Sequence, residues 1–564
     1  MSEQKIELDV QGMTCNACAH HVTRALRQVE GVSQVHIPSW AAGHATVTVQ
    51  PGVKEETLTD AVKQAGYRAT VKTPHPEGAR TAPQPSRAQP GHAFDYDLIV
   101  IGTGGAGMGA AIKAAELGRS VGIVEAGEIG GTCVNIGCVP SKTLIRAAEA
   151  YYKAGHQPFR GVRTHAKGVD WQEVIGQKDH LIGELRQNKY VDVLASYADR
   201  VTLIQGRARL TTDGKVVLDD GRLLTAQGVV IATGARPRIP PIAGIEQVSV
   251  LDSTSAMALA QQPHSLLVVG GRAVALELGQ MFARFGTQVT LLQRSERLIP
   301  EHEPELAKAL AEYLRGEGID VHTGISVSAI REEGGEKIIT AIVDGTQQEF
   351  CAEQVLMATG RTPNTQEMGL VEAGVALDAS GFIQVNDHMQ TSRPGVYAAG
   401  DVTNRPQLVY VAAAAGGIAA ENALNGNTQR LNLTVLPDVI FTDPQVATVG
   451  LTEAQAVARD YAVKTTLLPL AYVPRALAAR DTRGLIKLVA EEGSDRLLGA
   501  HILAAEGGEV IQTAALAVSA GLRYGFRVAD LRAMLFPYLT QVEGLKLAAQ
   551  TFEKDVAQLS CCAG

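Results

Sequence analysis

Two cysteines, Cys133 and Cys138, are the residues of this sequence best suited to redox chemistry. They lie in the run Gly-Gly-Thr-Cys-Val-Asn-Ile-Gly-Cys-Val-Pro-Ser-Lys at residues 130–142. At that spacing two side chains lie about one and a half helical turns apart, so a slightly distorted turn would let the sulfurs form a bond. A strand-like run and a Gly-rich loop precede them, and we therefore predict a redox-active dithiol beside a bound nucleotide.

The other cysteines suggest metal handling. Six of the seven cysteines form three close pairs, at Cys15 and Cys18, Cys133 and Cys138, and Cys561 and Cys562. In a reducing cytosol such pairs are more often metal-binding or catalytic than structural. Cys15 and Cys18 follow Gly-Met-Thr at a predicted loop-to-helix junction, where two thiolates suit a soft cation. A redox or zinc half-site is the alternative.

The adjacent Cys561 and Cys562 can bridge only with strain, which suits a reducible or metal-accepting pair. The alternative is an inert tail. Cys351 has no partner, and we expect it to be structural.

Size and charge restrict the class of protein. A chain of 564 residues is too long for one core, so roughly three to five domains are expected. A net charge of −8 argues against a general nucleic-acid or membrane binder. The N-terminus is charged where a signal peptide is apolar, and no apolar run is long enough to span a bilayer. A cytoplasmic protein without membrane insertion is the expectation.

Residues 1–72 predict a small independent domain. The predicted order is strand, helix, strand, strand, helix, strand, with strands near Ile6–Val10, Val32–Ile37, Ala45–Val49 and Tyr67–Val71 and the second helix near Glu55–Ala65. This βαββαβ order and the Gly12–Cys18 motif resemble the ferredoxin-like heavy-metal-associated domain. Residues 73–93 are Pro-rich and poor in apolar residues, so we predict a flexible linker.

A first nucleotide-binding fold is predicted after the linker. An apolar strand from Phe94 runs into Gly102, Gly104 and Gly107, an Ala-rich helix follows, and a second strand ends at Glu125. Glycines at these positions let the backbone approach a pyrophosphate at the helix N-terminus, and the acid accepts from ribose hydroxyls.

A second nucleotide-binding fold begins near residue 265. Its turn starts at Gly270, and Arg272 replaces the second glycine of the pattern. In the first fold the acidic residue Glu125 follows Gly102 at a fixed separation. At the same separation after Gly270 the second fold has Gln293, and Arg294 is the next residue. Since no acid is present to repel a 2′-phosphate and a cation stands beside it, the sequence favours NADPH over NADH, with possible help from Arg297.

The remaining chain predicts an α/β core with a mixed α+β C-terminal domain. We predict a β-hairpin region over Val201–Leu224, buried strands near residues 229–234 and 354–360, and a strand that ends at Asp401. Helices rich in apolar residues near the C-terminus are typical of a subunit interface. The predicted domains are 1–72 (metal-binding), 73–93 (linker), 94–250 and 376–432 (FAD-binding), 251–375 (NADPH-binding) and 433–564 (interface domain with the Cys-Cys tail).

In this order of dithiol, two nucleotide folds and interface domain, residues 94 to about 555 resemble the pyridine nucleotide-disulfide oxidoreductases. The resemblance implies FAD in the first fold, NADPH in the second, and a homodimer whose active sites combine both chains. It also implies that Cys138 is the flavin-side thiol, that Cys133 is the outer thiol, and that Lys142 and Glu277 form a charged pair. Further positions that match the FAD lining of the family are Gly127, Thr132, Ala208, Asp401 and Val409.

One departure from the family pattern concerns the substrate. Members that reduce glutathione or lipoamide carry a His-Pro dipeptide with a Glu five residues after the His; here Tyr538 replaces the imidazole and Glu543 is kept. A phenol with a pKa near ~10 does not shuttle protons at neutral pH as imidazole does. Together with the thiol pairs at both ends, this implies the branch of the family that reduces thiol-bound Hg(II) to Hg(0). By the same resemblance Tyr190 and Tyr538 belong to the inner metal site, and packing in the core is the alternative for both.

Two other functions remain open from the sequence. A disulfide reductase of the dihydrolipoyl or glutathione type would use the same dithiol and cofactors. A metallochaperone would use only the thiol pairs, and both nucleotide folds would then be idle. A member of the Hg(II)-reducing branch is expected to receive its metal from small thiols or mercury transport proteins. The expected route of the metal runs from Cys15 and Cys18 through Cys561 and Cys562 of the partner chain to Cys133 and Cys138.

Overall fold

The computed structural model describes residues 4–11, 22–23, 25–27, 29, 31–37, 44–65, 67–71 and 94–559. The chain divides into two compact units, Met1–Arg87 and Ala88–Gly564. The predicted linker and the cysteines at positions 15, 18, 561 and 562 lie outside the described residues. The domain boundaries and the roles given to those four cysteines therefore stay predictions.

The first unit contains one antiparallel sheet. Its elements are β1 (Gln4–Gln11), β2 (Val32–His36), β3 (His44–Val49), α1 (Glu55–Gln64) and β4 (Arg68–Val71). The sheet order is β2-β3-β1-β4. Ile6, Leu8 and Val10 alternate along β1 and are buried with Leu58 of α1, because one face of the sheet packs against the helix. The predicted strands and second helix are thus present.

The second unit begins with a five-stranded parallel sheet in the order β21-β11-β5-β6-β7, in which β21 (Val396–Ala398) comes from much later in the chain than the other four strands. The first elements in chain order are β5 (Tyr96–Ile101), α2 (Gly105–Glu116), β6 (Val121–Glu125), α3 (Gly131–Asn135), α4 (Cys138–Gly155), α5 (Trp171–Arg186), a π-helical turn (Gln187–Val191), α6 (Asp192–Ser196), β7 (Val201–Gln205), β8 (Ala208–Leu210), β9 (Val216–Leu218), β10 (Leu223–Leu224) and β11 (Ala226–Ile231). β5 is buried along almost its whole length, as expected for a strand covered on both faces.

The prediction of a hairpin region over residues 201–224 is wrong in part. β7 pairs in parallel with β6 and forms the edge of the large sheet, and only β8, β9 and β10 form an antiparallel meander. A hairpin strand and an edge strand of a parallel sheet are both short and have similar residue patterns. Which of the two forms depends on contacts with strands distant in the chain.

A second parallel sheet follows in the order β15-β14-β13-β19, with an antiparallel sheet β16-β17-β18 beside it in the chain. The elements are β12 (Ala235–Pro237), a 3₁₀ turn (Ile245–Gln247), α7 (Ser253–Ala256), β13 (Ser265–Val269), α8 (Ala273–Phe285), β14 (Gln288–Leu292), α9 (Pro304–Gly316), β15 (Asp320–His322), β16 (Ser326–Glu333), β17 (Glu336–Val343), β18 (Thr346–Ala352), β19 (Gln354–Met357) and β20 (Arg361–Pro363). Cys351 is exposed on β18, so it contributes nothing to a buried core.

The C-terminal region is built on a five-stranded antiparallel sheet, β22-β23-β26-β25-β24. Its elements, preceded by the last strand and the long helix of the first nucleotide fold, are β21 (Val396–Ala398), α10 (Val409–Asn425), β22 (Asp438–Ile440), β23 (Gln445–Gly450), α11 (Glu453–Val457), β24 (Val463–Pro469), a 3₁₀ turn (Leu470–Tyr472), α12 (Pro474–Ala479), β25 (Leu485–Glu491), β26 (Leu497–Ala504), α13 (Gly507–Tyr524), α14 (Val528–Ala533), α15 (Glu543–Gln550) and a 3₁₀ turn (Val556–Gln558). The predicted fold class is confirmed, with two nucleotide-binding sheets and a mixed C-terminal domain. Among the described helices, none has the length and apolarity needed to cross a membrane.

Candidate active site

The dithiol lies on two helices and not on one. Cys133 belongs to α3, and Cys138 is the first residue of α4. The chain turns between them at Gly137, where a Cβ atom would lie 2.9 Å from the Thr132 carbonyl oxygen. The expectation of a single distorted helical turn is therefore wrong, because the glycine allows a sharper approach of the backbone. Both cysteines are free thiols, and Cys138 is exposed.

The two sulfurs differ in acidity. The hydrogen bond from Cys133 lowers the pKa of Cys138 to about 7, and the Lys142 ammonium helps while burial opposes it. The same hydrogen bond and burial raise the pKa of Cys133. At neutral pH the pair therefore holds a large share of thiolate on Cys138, with a thiol on Cys133 that donates to it. A thiolate is both the nucleophile and the metal ligand among cysteine states.

The structure brings Lys142 and Glu277 together beside this thiolate. Lys142 Nζ lies 2.7 Å from Glu277 Oε2, and the Glu277 side chain is only 7% exposed. The other carboxylate oxygen of Glu277 accepts from the Phe441 backbone N–H at 2.9 Å. Lys142 Nζ also stands 4.7 Å from the centroid of the Phe441 ring. The ammonium is thus held in one place by a carboxylate and an aromatic face.

Of the two predicted tyrosines, Tyr190 interacts electrostatically with the dithiol. Burial raises its pKa, and the charges of Cys133 and Cys138 raise it further. The phenol therefore stays protonated at neutral pH and can donate to a thiolate. Tyr538 lies between α14 and α15 and is 55% exposed. Glu543, which follows it, is buried, and its Oε2 has no hydrogen-bond partner among the described residues.

The first Gly-rich turn is shaped for close backbone approach. Gly102 has φ +108, and a Cβ there would lie 2.4 Å from the Ala232 carbonyl oxygen. A Cβ at Gly107 would lie 1.9 Å from the Gly102 carbonyl oxygen. Gly104 precedes α2 and lies against Gly131, which has φ +63. A side chain would not fit at Gly102 or at Gly107, so the backbone at the N-terminus of α2 stays open to a ligand phosphate.

Glu125 organises the loops around this turn. Its Oε2 accepts from the Thr103 backbone N–H at 3.1 Å and from the Thr103 hydroxyl. Its Oε1 accepts from the Gly127 N–H at 2.8 Å. Thr103 Oγ1 in turn accepts from the Gly130 N–H at 3.0 Å. Thr103 was not among the predicted site residues, and its place within the Gly-rich loop was the only signal for it.

Asp401 follows β21 at the carboxyl edge of the same parallel sheet. Burial raises its pKa, and Arg361 opposes this rise from 3.6 Å. Arg361 Nε is buried without a hydrogen-bond partner among the described residues, as expected where a ligand acceptor binds. Val409 begins α10 beside Gly105 of the turn. Of the other predicted lining positions, Ala208 is buried at the start of β8 and Thr132 lies in α3.

The second Gly-rich turn has the same backbone shape with different side chains. A Cβ at Gly270 would lie 2.4 Å from the Ala358 carbonyl oxygen, and one at Gly271 would lie 2.7 Å from Gln293. Gln293 is buried, whereas Arg294 is exposed next to it. Arg272 pairs with Glu301 across the turn. This arrangement fits a pyridine nucleotide with a 2′-phosphate, because no carboxylate stands at position 293.

Arg297 is engaged elsewhere. Its guanidinium donates to the carbonyl oxygens of Pro300 and His302 at 2.8 and 3.3 Å. In the part of the chain that the structure describes, no group of three or more His, Cys, Asp or Glu residues is arranged to hold a metal ion.

Fold and site together define a flavin- and nicotinamide-type dithiol oxidoreductase. Residues 96–416 match the pyridine nucleotide-disulphide oxidoreductase family, residues 436–549 match the dimerisation domain of that family, and residues 7–68 match the heavy-metal-associated domain. The chain belongs to the pyridine nucleotide-disulphide oxidoreductase family. Its dimerisation domain supports a homodimer.

Within that family the chain is similar over its full length to curated mercuric reductases. It is 43% identical to the mercuric reductase of Staphylococcus aureus, with 100% of both chains covered. It is 43% identical to that of Shigella flexneri, covering 99% of this chain and 100% of the relative. The mercuric reductase of Streptomyces lividans is 46% identical over 83% of this chain and 98% of its own.

Solved structures show the same fold. A HOCl-induced flavoprotein disulfide reductase from Escherichia coli, in a Cu(II) complex, superposes with a TM-score of 0.70 at 28% identity, covering 79% of this chain and 98% of that one. LpdA from Mycobacterium tuberculosis superposes with a TM-score of 0.71 at 26% identity, covering 81% and 100%.

Proposed function

We propose that this protein is a mercury(II) reductase that uses NADPH and FAD to reduce thiol-bound Hg(II) to Hg(0) and so detoxifies mercury. The observation that carries the proposal is the dithiol itself: a Cys138 thiolate hydrogen-bonded to a Cys133 thiol, both of which interact electrostatically with the Tyr190 phenol. Full-length similarity to curated mercuric reductases supports the choice of substrate.

The chemistry of Hg(II) matches two adjacent sulfurs. Hg(II) is soft and binds thiolates strongly, and two thiolates satisfy it. Capture proceeds by exchange. Cys138 forms the first protein Hg–S bond as one thiolate leaves the donor complex. Cys133 forms the second Hg–S bond as the other donor thiolate leaves, and the Cys133 proton goes to one of the two departing thiolates. The chain's own sulfurs then hold Hg(II) as a bis-thiolate.

Reduction releases the metal. The chemistry that FAD and NADPH supply when bound is the delivery of two electrons to this site. Two electrons convert Hg(II) to Hg(0), both Hg–S bonds break, and Cys133 and Cys138 are left as thiolates, one of which takes up a proton. The Tyr190 phenol would stabilise the sulfur charge, and Lys142 stabilises the Cys138 thiolate electrostatically.

The binding of both cofactors is assigned to residues of the two Gly-rich turns. Gly102, Gly104 and Gly107 would hold the pyrophosphate of FAD at the N-terminus of α2, with Glu125 on the ribose side. Gly270 and its turn would hold NADPH, with Arg294 free to meet the 2′-phosphate.

Delivery of Hg(II) involves the remaining thiol pairs. Small thiols or mercury transport proteins would load Cys15 and Cys18, and Cys561 and Cys562 of the partner subunit would pass the metal to the dithiol. Each active site would then combine both chains of a cytoplasmic homodimer, and Tyr538 would join the inner site. We expect C561A/C562A to lower turnover of thiol-bound Hg(II) and to leave reduction of the bound flavin by NADPH unchanged; full turnover would contradict the relay.

Three acceptors test the proposal on the purified flavoprotein. NADPH oxidation is followed with Hg(II) in excess thiol, with oxidised glutathione and with lipoamide. We expect turnover with Hg(II) and little with either disulfide, because Tyr538 replaces the imidazole. Turnover only with a disulfide would favour a disulfide reductase, the activity named for the similar Escherichia coli structure. Metal binding without any turnover would favour a metallochaperone.

A further inference from the structure

Tyr190 belongs to an unusual piece of backbone. The turn Gln187–Val191 is π-helical and joins α5 to α6 without a break. A π turn is rare and holds one extra residue, which changes the direction of the side chains that follow. The Tyr190 ring packs against the core of the first nucleotide fold, and its hydroxyl interacts electrostatically with both cysteines. The position of this hydroxyl thus depends on how the π turn is anchored.

The residue just before the π turn anchors it to the cysteine helix. Arg186 Nε donates to Asn135 Oδ1 at 2.9 Å. Asn135 is the last residue of α3 and lies two positions after Cys133. The Asn135 amide uses its other end as well, since Nδ2 donates to the Ile129 carbonyl oxygen at 3.0 Å. One side chain therefore joins α3, the loop before it and the start of the π turn.

A second contact of Arg186 serves as an internal comparison. The Nη2 atom of Arg186 lies 2.7 Å from Glu128 Oε2, but the Glu128 side chain is 69% exposed. Exposed ion pairs contribute little, so the Asn135 contact is the one expected to fix geometry. Asn135 itself is half-buried, and the loop that it braces is held to the first Gly-rich turn by the Gly130–Thr103 hydrogen bond.

We propose that Arg186 is a positioning residue, which acts through Asn135 to fix the π turn that carries Tyr190 against the helix that carries Cys133. The planar guanidinium suits this role because its Nε donor has a fixed direction, unlike a lysine ammonium. The choice of reaction for the test rests on the proposed function; the contact itself does not.

A double-mutant cycle on the holoenzyme tests the proposal. In R186M we expect kcat for thiol-bound Hg(II) to fall roughly tenfold or more, since small displacements of a reacting group are costly, while flavin content and flavin reduction by NADPH are retained. In the Y190F background the same substitution should change kcat less than about twofold, because the group it positions is gone. The matched control E128Q removes only the exposed ion pair and should keep wild-type kcat. Equal effects of R186M in both backgrounds would overturn the proposal.

Hydrogen exchange gives a readout that needs no Hg(II) turnover. Amides 187–191 should exchange faster in R186M than in the wild type or in E128Q, and unchanged protection would overturn the proposal. A wild-type enzyme that is inactive on Hg(II) would refute only the proposed function. The hydrogen-exchange result would still decide whether Arg186 positions the π turn. If R186M does not retain its flavin, R186K is used in its place, because lysine keeps the charge and lacks the Nε donor. The expected changes in kcat and in hydrogen exchange are the same.

Discussion

The acidity of Cys138 depends on its neighbours. The Cys133 hydrogen bond is the larger influence and the Lys142 charge the smaller, with burial acting against both. Lys142 is itself fixed by Glu277 and the Phe441 ring. The reactivity of one sulfur therefore depends on residues from three parts of the chain.

Removing the donor should raise the pKa of Cys138 above about 7, its value beside Cys133. In C133A the thiolate loses its hydrogen bond, so a smaller fraction is ionised at neutral pH and ionisation shifts to higher pH. The measurement is the ultraviolet thiolate absorbance as a function of pH, taken as the difference from C138S. C351S, which alters an exposed cysteine on β18, is the control and should leave the titration unchanged. An unshifted titration in C133A would show that the hydrogen bond does not set this pKa.

At this scale the sequence predicted the residues of the site better than their contacts. The dithiol and the Gly-rich turns carry local signals, and the Lys142–Glu277 pairing came from the family resemblance. Phe441 and the Asn135–Arg186 contact carry none, because the partners are distant in sequence and meet only through tertiary packing.

At the level of elements, FAD binding depends on how closely the first Gly-rich turn approaches the neighbouring backbone. Gly102 combines φ +108 with a carbonyl oxygen 2.4 Å from the position of a Cβ. Any larger residue must displace the backbone there. The turn is thus a point where one methyl group should abolish cofactor binding.

We expect G102A to purify with little or no flavin, measured as the ratio of visible to ultraviolet absorbance. The control is G176A in α5, where a Cβ would meet nothing within 4 Å and φ is ordinary. It should keep its flavin. Normal flavin content in G102A would mean that the first turn is not the FAD site.

One face of α8 holds the C-terminal region in place. Glu277 accepts from the Phe441 N–H, Gln280 accepts from the Asp443 N–H, and Arg284 pairs with Asp443 at 2.9 Å and with Glu317 at 2.7 Å. The side chains of Arg284 and Glu317 are only 4% and 6% exposed. Breaking a buried ion pair leaves a carboxylate without its partner, which is costly.

R284M should lower the free energy of unfolding by about 3 kcal/mol, at the low end for a buried pair because Arg483 remains beside both carboxylates. Chemical denaturation measures this change. R331M removes an exposed pair with Glu349 and should leave the free energy of unfolding nearly unchanged. Equal effects of the two substitutions would contradict a structural role for this face of α8.

Most elements were predictable because their apolar patterns are strong. The predicted second strand of the first fold, which ends at Glu125, is β6, Val121–Glu125, and the second fold begins at Ser265 as expected. The break between α3 and α4 was not predictable from spacing, because it depends on the contact of Gly137 with the Thr132 carbonyl oxygen. The pairing of β7 with β6 also escaped prediction, since strand partners are chosen by the whole sheet.

For the whole molecule, the division into two compact units separates the metal-binding sequence from the oxidoreductase. The first unit has its own buried core, which includes Leu8, Leu26 and Leu58. The second unit contains every residue assigned to the cofactors and to the dithiol. Each unit therefore has the elements needed to fold without the other.

Deleting residues 1–93 should leave a flavoprotein that still reduces thiol-bound Hg(II). The reason is that both Gly-rich turns, the dithiol and the dimerisation domain remain. The measurement is flavin content together with kcat in excess thiol, compared with the full chain. Loss of flavin on deletion would refute the independence of the second unit.

The central claim is tested most directly by measuring the product. The purified protein is given NADPH and Hg(II) in excess thiol, and volatile Hg(0) is collected and quantified while NADPH oxidation is followed. The two-electron reduction predicts one Hg(0) for each NADPH consumed, and none from C138S. NADPH oxidation without Hg(0), or Hg(0) formation that survives in C138S, would contradict it.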